Sequence, residues 1–179
     1  MEKLYPLKFK PIFKEKLWGG QKINTILGKE FGDLDNCGES WELSGVEGNV
    51  SEVLNGSLSG HPLSELIKTY KGQLVGDHVH AEFQEEFPLL IKFIDAAQDL
   101  SIQVHPDDEL AMSRHNAQGK TEMWYILQAD QGATLINGFV KETDQAEYLT
   151  CLESGKLETL LKKVEAKPKD AFYLPAGRV

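Results

Sequence analysis

Cysteines, long apolar runs and a leading signal segment are all scarce or absent in this 179-residue sequence. The two cysteines, Cys37 and Cys151, are far apart and form no CxxC pair, so we expect free thiols in a reducing cytoplasm rather than a disulfide framework. No apolar run reaches the roughly 18 residues that a membrane-spanning helix requires. The first residues also lack the apolar core of a secretory signal. Together these absences predict a cytoplasmic protein with no membrane partner.

Basic charge is also scarce. The sequence has 19 Lys and Arg residues against 28 Asp and Glu residues, a formal net charge of −9. No basic stripe offsets this excess, which argues against a nucleic-acid partner. A phosphorylated ligand would meet the same unfavourable field and would need a few local Lys or Arg side chains. The apolar share of 41% and charged share of 26% are those of a globular domain with its own core.

Short β-rich runs separated by Gly and Pro dominate the pattern. They lie at 39–58, 87–105, 120–137 and 171–174. Helical insertions are predicted at about 61–75 and at 143–162, the second interrupted near Gly155, and residues 106–119 lean towards helix. The pattern predicts one mainly β domain over 1–179, a sandwich or barrel with helical insertions.

Residues 101–108 carry the most informative polar pattern. In a strand, Ser101, Gln103 and His105 would face one way, while Ile102 and Val104 would face the core. A polar face that ends in an imidazole is typical of a site. An ordinary amphipathic strand with a solvated face is the alternative.

A second polar pair follows at 120–126, where Lys120 and Glu122 would share a face. An imidazole, a carboxylate and an amide oxygen are all competent ligands for a divalent metal, and a lysine beside a bound cation is suited to proton transfer. The alternative is an exposed Lys/Glu pair on an edge strand. The segment 175–179 alone predicts only a Pro/Gly turn.

Taken together, the three segments resemble the two motifs of the cupin superfamily. Gln103 and His105 stand where the H-x-H pair would be, and Glu122 follows His105 by 17 positions (122 − 105). Pro175-x-Gly177 resembles the start of the second motif, P-x-G-x-x-H, whose histidine would be residue 180.

The resemblance is more specific to the type I phosphomannose isomerases. The similar strings are LWGG at 17–20, GESWELS at 38–44, FPLLIKFIDAAQDLSIQVHPDDELA at 87–111, GKTEMWYIL at 119–127 and YLPAGRV at 173–179. The block at 87–127 is the most specific of these. The fold that the resemblance implies is a mainly β, cupin-type jelly roll with helical insertions, incomplete at its C-terminus and with an exposed sheet edge.

The resemblance also implies a single zinc ion. In the family a glutamine, a histidine, a glutamate and a second histidine hold it, and the first three match Gln103, His105 and Glu122. The fourth ligand is expected just beyond Val179. We therefore expect the 179-residue polypeptide alone to bind zinc poorly and to have negligible activity.

The remaining site residues follow from the same resemblance. Ser101 and Lys120 match substrate-site residues, with Lys120 also the candidate for catalytic proton transfer. Trp18 and Glu39 match positions that line the pocket, and Arg178 is a further candidate contact for a phosphate. Two other tryptophans, Trp41 and Trp124, are predicted to be core residues rather than site residues.

The activity that the resemblance implies is interconversion of mannose 6-phosphate and fructose 6-phosphate. A proton moves between neighbouring carbons through a cis-enediol, and zinc and a general base assist the transfer. A non-catalytic cupin that binds a sugar phosphate is the main alternative, and an iron-dependent cupin oxygenase is a third. Retention of the four site residues Gln103, His105, Lys120 and Glu122 favours the isomerase.

Two remaining points are weaker. His78 and His80 form a second H-x-H, which we expect in a solvated polar loop because no third ligand is suitably spaced. The sequence carries no signal for the oligomeric state.

Overall fold

The computed structural model describes residues 3–179 and divides into two compact units, Met1–Leu100 and Ser101–Val179. None of the helices in the described part of the chain combines the length and apolar character that crossing a membrane would need.

The first unit is built around a three-stranded antiparallel sheet in the order β1-β2-β3. Its elements are β1 (Ile12–Lys14), α1 (Lys22–Thr25), β2 (Glu39–Ser44), α2 (Leu63–Tyr70), α3 (Gly72–Val75), α4 (Asp77–Phe83) and β3 (Leu90–Ile94). Lys14 is opposite Glu39, and Trp41 is opposite Lys92. Because side chains alternate along a strand, these four residues share one face of the sheet.

Helix α2 forms because its apolar residues recur at helical spacing. Leu63, Leu66, Ile67 and Tyr70 are all buried, as expected for the core-facing stripe of an amphipathic helix. Leu66 and Tyr70 pack with Val53 in one buried cluster. A second buried cluster joins Ile23, Phe31 and Cys37. The predicted insertion at 61–75 is therefore confirmed, as α2 followed by α3.

Glycines bring two distant strings of the first unit into contact. A Cβ on Gly19 would lie 2.5 Å from the backbone nitrogen of Gly38, and one on Gly38 would lie 2.6 Å from Cβ of Lys16. A Cβ on Gly20 would lie 2.5 Å from Oδ2 of Asp95. Gly19 is thus needed for a close contact with the Gly38 backbone, and Gly20 for a close contact with the Asp95 side chain.

The second unit contains two antiparallel strand pairs, β4-β7 and β5-β6. Its elements are α5 (Asp108–His115), β4 (Glu122–Tyr125), β5 (Thr134–Phe139), α6 (Gln145–Glu153), a 3-10 turn (Leu157–Leu160), β6 (Leu161–Glu165) and β7 (Ala171–Leu174). Asp107 and Asp144 cap α5 and α6 by accepting hydrogen bonds of 2.8 Å from the Leu110 and Glu147 amides. Such caps satisfy amides that have no partner within the helix.

One face of the β4-β7 pair is apolar and open. Met123 pairs directly with Tyr173, and both side chains are exposed, Met123 to 72%. Tyr125 is exposed on the same face. The opposite face carries Glu122 and Trp124, which are partly buried.

The structure departs from the sequence prediction at 101–107, which form no strand. Ile102 and Val104 are exposed rather than buried in a core. Alternation alone does not make a strand, because an extended segment needs a neighbour to complete its hydrogen-bond ladder. Among residues 3–179, no ladder partner is paired with this segment.

The helical predictions need two corrections. Residues 77–83 were expected as a loop but form α4, where His78 and His80 are two positions apart and do not share a helix face. The second insertion, predicted over 143–162, is α6 followed by the 3-10 turn Leu157–Leu160, with the predicted interruption at Gly155 (φ +68). It ends at Leu160 rather than 162, because Leu161 already begins β6. The short helix α1 was not predicted.

Candidate active site

Three of the predicted site side chains meet in the second unit. Glu122, the first residue of β4, lies with its Oε1 3.1 Å from Nζ of Lys120 and 3.6 Å from Nε2 of His105. The indole N–H of Trp124 is 3.4 Å from the other carboxylate oxygen of Glu122. Glu122 and Trp124 are two residues apart on one strand, so the pleat places both on the same face.

The electrostatics of this cluster favour an ionised carboxylate. Burial raises the pKa of Glu122, but the charge and hydrogen bond of Lys120, the charge of His105 and the hydrogen bond from Trp124 outweigh it. The net result is a pKa below the ordinary glutamate value. Glu122 is therefore ionised at neutral pH.

The backbone holds the His105 segment beside the turn that follows β7. The Gly177 amide donates to the carbonyl of His105 at 2.7 Å, and the Lys120 amide donates to the carbonyl of Pro106 at 3.1 Å. The Ala176 amide donates to Oγ1 of Thr121 at 3.2 Å. Hydrogen bonds thus join the three segments predicted from the sequence, 101–108, 120–126 and 175–179, although the first of them is not a strand.

Gln103 and Ser101 form a separate pair. Nε2 of Gln103 donates to Oγ of Ser101 at 2.9 Å, and both side chains are exposed. The amide thus uses its nitrogen towards the serine, which leaves its oxygen, the atom that binds metals, for another partner. Arg178 is tied elsewhere, because its guanidinium donates to Oδ1 of Asn137 at 3.2 Å.

The donor set fits part of a zinc site. Two ligands of one tetrahedral zinc, each at about 2.0–2.2 Å, lie roughly 3.3–3.6 Å apart. The 3.6 Å between Nε2 of His105 and Oε1 of Glu122 agrees with that spacing. In the part of the chain that the structure describes, no group of three or more His, Cys, Asp or Glu side chains is placed to hold a metal ion. The spacing of His105 and Glu122 alone is therefore compatible with two ligands of one zinc ion.

The predicted pocket residues of the first unit, Trp18 and Glu39, are anchored by their own neighbours. Glu39 is buried. Its Oε2 accepts a hydrogen bond of 2.7 Å from the Trp41 indole, and its Oε1 accepts one of 2.9 Å from Nζ of Lys92. The Trp18 carbonyl accepts from the Ala97 amide at 2.9 Å. Both carboxylate oxygens of Glu39 are engaged with protein donors.

Burial raises the pKa of Glu39, but the hydrogen bonds from Trp41 and Lys92 and the charges of Lys92 and Lys16 lower it below its usual value. Of the two partners of Glu39, Lys92 was not singled out from the sequence, and Trp41, predicted as a core residue, is only partly buried. The available signal was the alternation on β2, which puts Trp41 on the same face as Glu39. The Glu39–Lys92 pair carried no such signal, because the two residues are 53 positions apart.

Comparison with known proteins identifies the family. The profile described as "Phosphomannose isomerase type I, catalytic domain" matches residues 6–136. Mannose-6-phosphate isomerase ManA of Bacillus subtilis (strain 168) is 41% identical over 181 residues, an alignment that covers 97% of this chain and 53% of ManA.

Solved structures agree with that assignment. The crystal structure of mannose 6-phosphate isomerase from Bacillus subtilis superposes with a TM-score of 0.86 at 35% identity and covers 97% of this chain and 53% of its own. A zinc-bound mannose 6-phosphate isomerase superposes with a TM-score of 0.70 at 17% identity, and the alignment covers 96% of this chain and 64% of its own. At this identity the likeness is one of fold alone.

The expected mainly β, cupin-type fold with helical insertions is confirmed by these neighbours. The chain spans about half the length of the curated relatives it matches. Because the family profile covers most of the sequence, the chain belongs to the type I phosphomannose isomerase family.

Proposed function

We propose that this chain supplies the first half of a zinc-dependent isomerase that interconverts mannose 6-phosphate and fructose 6-phosphate in the cytoplasm. The observation that carries the proposal is the cluster of His105, Lys120 and Glu122, which lies within residues 6–136, the range matched by the family profile. The relatives named as mannose-6-phosphate isomerases support the same reaction.

The metal ligands proposed from this chain are His105, Glu122 and Gln103. The spacing between His105 and Glu122 suits a shared zinc, and the amide oxygen of Gln103 is the weakest of the three donors. Bound zinc would supply a Lewis acid for the oxygens of an enediolate. The zinc-bound relative of the same fold supports the choice of metal.

Lys120 is proposed to contact the substrate and to take part in the proton transfer through the cis-enediol. Its ammonium lies 3.1 Å from the Glu122 carboxylate, and its side chain is partly solvent-exposed, so it reaches both the carboxylate and an incoming ligand. Ser101, which accepts a hydrogen bond from Gln103, is proposed to bind a substrate oxygen through its hydroxyl. Trp18, Glu39 and Arg178 remain proposed pocket residues, with Arg178 the one already committed to Asn137.

The experiment is a chimera in which this chain replaces the matching half of Bacillus subtilis ManA. A coupled assay would follow formation of fructose 6-phosphate, and zinc would be measured in the purified protein. We expect turnover in the chimera, and Lys120→Gln should lower it by about 100-fold or more, the usual contribution of a positioned acid or base. Lys163→Gln is the matched control, since Lys163 is an exposed lysine paired with Glu158 in the same unit.

The competing functions predict different results. A chimera that binds zinc and mannose 6-phosphate, yet forms no fructose 6-phosphate, would favour the non-catalytic sugar-phosphate-binding cupin. Iron in place of zinc, with oxygen consumption, would favour the oxygenase. Turnover unaffected by both Lys120→Gln and His105→Ala would contradict the proposed site.

The 179-residue polypeptide alone is proposed to bind zinc weakly and to lack measurable activity, because, of the three proposed donors, only His105 and Glu122 lie at the spacing of zinc ligands and the third, the amide oxygen of Gln103, is weak. Metal analysis of this polypeptide, beside the full-length Bacillus subtilis relative, tests the proposal. Stoichiometric zinc with turnover near that of the relative would contradict it.

A further inference from the structure

Lys120 and Glu122, which meet in the candidate site, are held in place in different ways. Glu122 begins β4, and its pairing with Leu174 in β7 fixes its backbone. Lys120 lies two positions earlier, in the segment 116–121, which has neither helix nor strand. The position of Lys120 therefore depends on contacts other than a strand ladder.

The start of α5 supplies two of those contacts. Oδ1 of Asp108, the first residue of α5, accepts a hydrogen bond of 2.8 Å from the Gly119 amide. The carbonyl of Pro106 accepts one of 3.1 Å from the Lys120 amide. A Cβ on Gly119 would lie 2.5 Å from the backbone carbon of Asp107, so the two backbones are in contact. Two consecutive amides are thus bound to the segment that begins α5.

The acidic residues at this end of α5 differ in what they contact. Asp107 caps the helix by accepting a hydrogen bond from the Leu110 amide. Asp108 reaches out of the helix to Gly119, 11 positions further along the chain. Glu109 is exposed, and among residues 3–179 its side chain has no hydrogen-bond or ion-pair partner. The contact with the loop before β4 is therefore made by one carboxylate of the three.

We propose that Asp108 is a positioning residue for Lys120. Its carboxylate holds the Gly119 amide, so the backbone enters Lys120 in a fixed direction, and the ammonium lies 3.1 Å from Oε1 of Glu122. A hydrogen bond to an ionised acceptor is stronger than one between neutral groups, which suits this exposed anchor. The inference rests on the proposed function, because Lys120 has a catalytic part only in the isomerase.

A lysine needs such an anchor more than most residues do. Its ammonium is carried on a flexible four-carbon stem, so any freedom of the backbone adds to the freedom of the charge. Proton transfer requires the reacting groups to be held close to the productive geometry. Asp108 therefore acts on the reaction through the backbone of Gly119, and Lys120 remains the residue that meets the substrate.

The first test measures kcat in the chimera with Bacillus subtilis ManA. Asp108→Ala should lower kcat by about tenfold, since a small misplacement of a reacting group is costly. Zinc content should match wild type, because His105 and Glu122 are held by other contacts. Asp108→Asn keeps an acceptor oxygen and should retain kcat within about threefold. Glu109→Ala, the matched control, removes the same charge from the same helical turn and should stay within about twofold.

A double variant separates positioning from a general loss of structure. Asp108→Ala/Lys120→Gln should be no slower than Lys120→Gln alone, because Asp108 acts through Lys120. A purely structural role would lower kcat again in the Lys120→Gln background. Gly119→Ala, which places a Cβ against the Asp107 backbone, should lower kcat as Asp108→Ala does and should add as little to Lys120→Gln.

Hydrogen exchange of the 179-residue protein, followed for each amide by NMR, gives a readout that does not depend on activity. The Gly119 amide should exchange about tenfold faster in Asp108→Ala than in wild type, because it loses a charged acceptor. Glu109→Ala should leave that rate unchanged.

Three results would overturn the positioning role and leave the isomerase proposal standing. They are wild-type kcat in the Asp108→Ala chimera, unchanged exchange of the Gly119 amide, and a further tenfold loss in the Lys120→Gln background. A wild-type chimera without turnover would instead overturn the isomerase proposal, and the positioning role with it.

Discussion

Removing the negative charge of Glu39 should destabilise the first unit more than removing any exposed glutamate there. In Glu39→Gln the volume is kept, but the one amide oxygen can accept from only one of the two donors, Trp41 and Lys92, so the change removes the negative charge and one hydrogen bond. Both side chains of the pair are largely buried, at 11% and 19% exposure. The ammonium of Lys92 would then stay buried without its counter-charge.

The expected cost is large. Breaking a buried ion pair by removing one partner typically costs about 3–5 kcal/mol, and the partial exposure together with the one hydrogen bond that the amide oxygen still accepts places Glu39→Gln near about 3 kcal/mol. The matched control is Glu52→Gln, whose pair with Lys10 has the same contact type at 3.0 Å, but with side chains 51% and 52% exposed. That change should cost less than about 1 kcal/mol.

The assay is urea unfolding at pH 7, followed by circular dichroism and tryptophan fluorescence, for wild type and both variants. The difference in unfolding free energy between wild type and Glu39→Gln should also depend on pH. The folded-state pKa of Glu39 lies below the ordinary glutamate value of 4.5, so its contribution is present above that value and is lost as pH falls through the folded pKa. The gap between wild type and Glu39→Gln should therefore narrow below about pH 4.5. Equal midpoints for Glu39→Gln and Glu52→Gln at pH 7 would refute the reasoning.

Two further substitutions test the packing and the helix caps, both by urea unfolding. Gly19→Ala places a Cβ against the Gly38 backbone and should cost about 1–3 kcal/mol. In Gly72→Ala the Cβ meets first the carboxylate of Asp77, the end of a rotatable side chain, and the helix gains propensity, so this change should cost less than about 1 kcal/mol. Equal losses would argue against the backbone contact. Asp144→Ala removes the cap of α6 and should cost about 1 kcal/mol, while a loss no greater than that of Gln145→Ala would show that the cap is dispensable.

Local patterns predicted much of the fold. The strands β4, β5 and β7 and the helix α2 were predicted because alternation and helical spacing are properties of neighbouring residues. The same alternation failed at 101–105, where a strand would have required a ladder partner that local sequence does not specify. Helix α4 was missed because its residues, 77–83, lack an apolar stripe and begin directly after Gly76.

For the candidate site, too, local patterns predicted some features and long-range packing decided others. His105, Lys120 and Glu122 were grouped from their alternation and from the resemblance, and their measured spacing agrees with that grouping. Glu39 was predicted as a pocket residue, but the register of β2 with β3 decides its partner, Lys92. That register is set by long-range packing rather than by any local motif. The roles of the individual site residues in binding and catalysis stay predictions.

The contact between Gly19 and Gly38 has a consequence for how the family's short strings evolve. LWGG and GESWELS are separated in sequence, but each supplies one side of a single backbone contact, with no room for a methyl group on Gly19. A larger residue at one position cannot be offset by shrinking the other, which is already glycine. The two strings should therefore be kept or lost together in related sequences. In a chain with only one of them, the backbones at positions 19 and 38 would have to move apart.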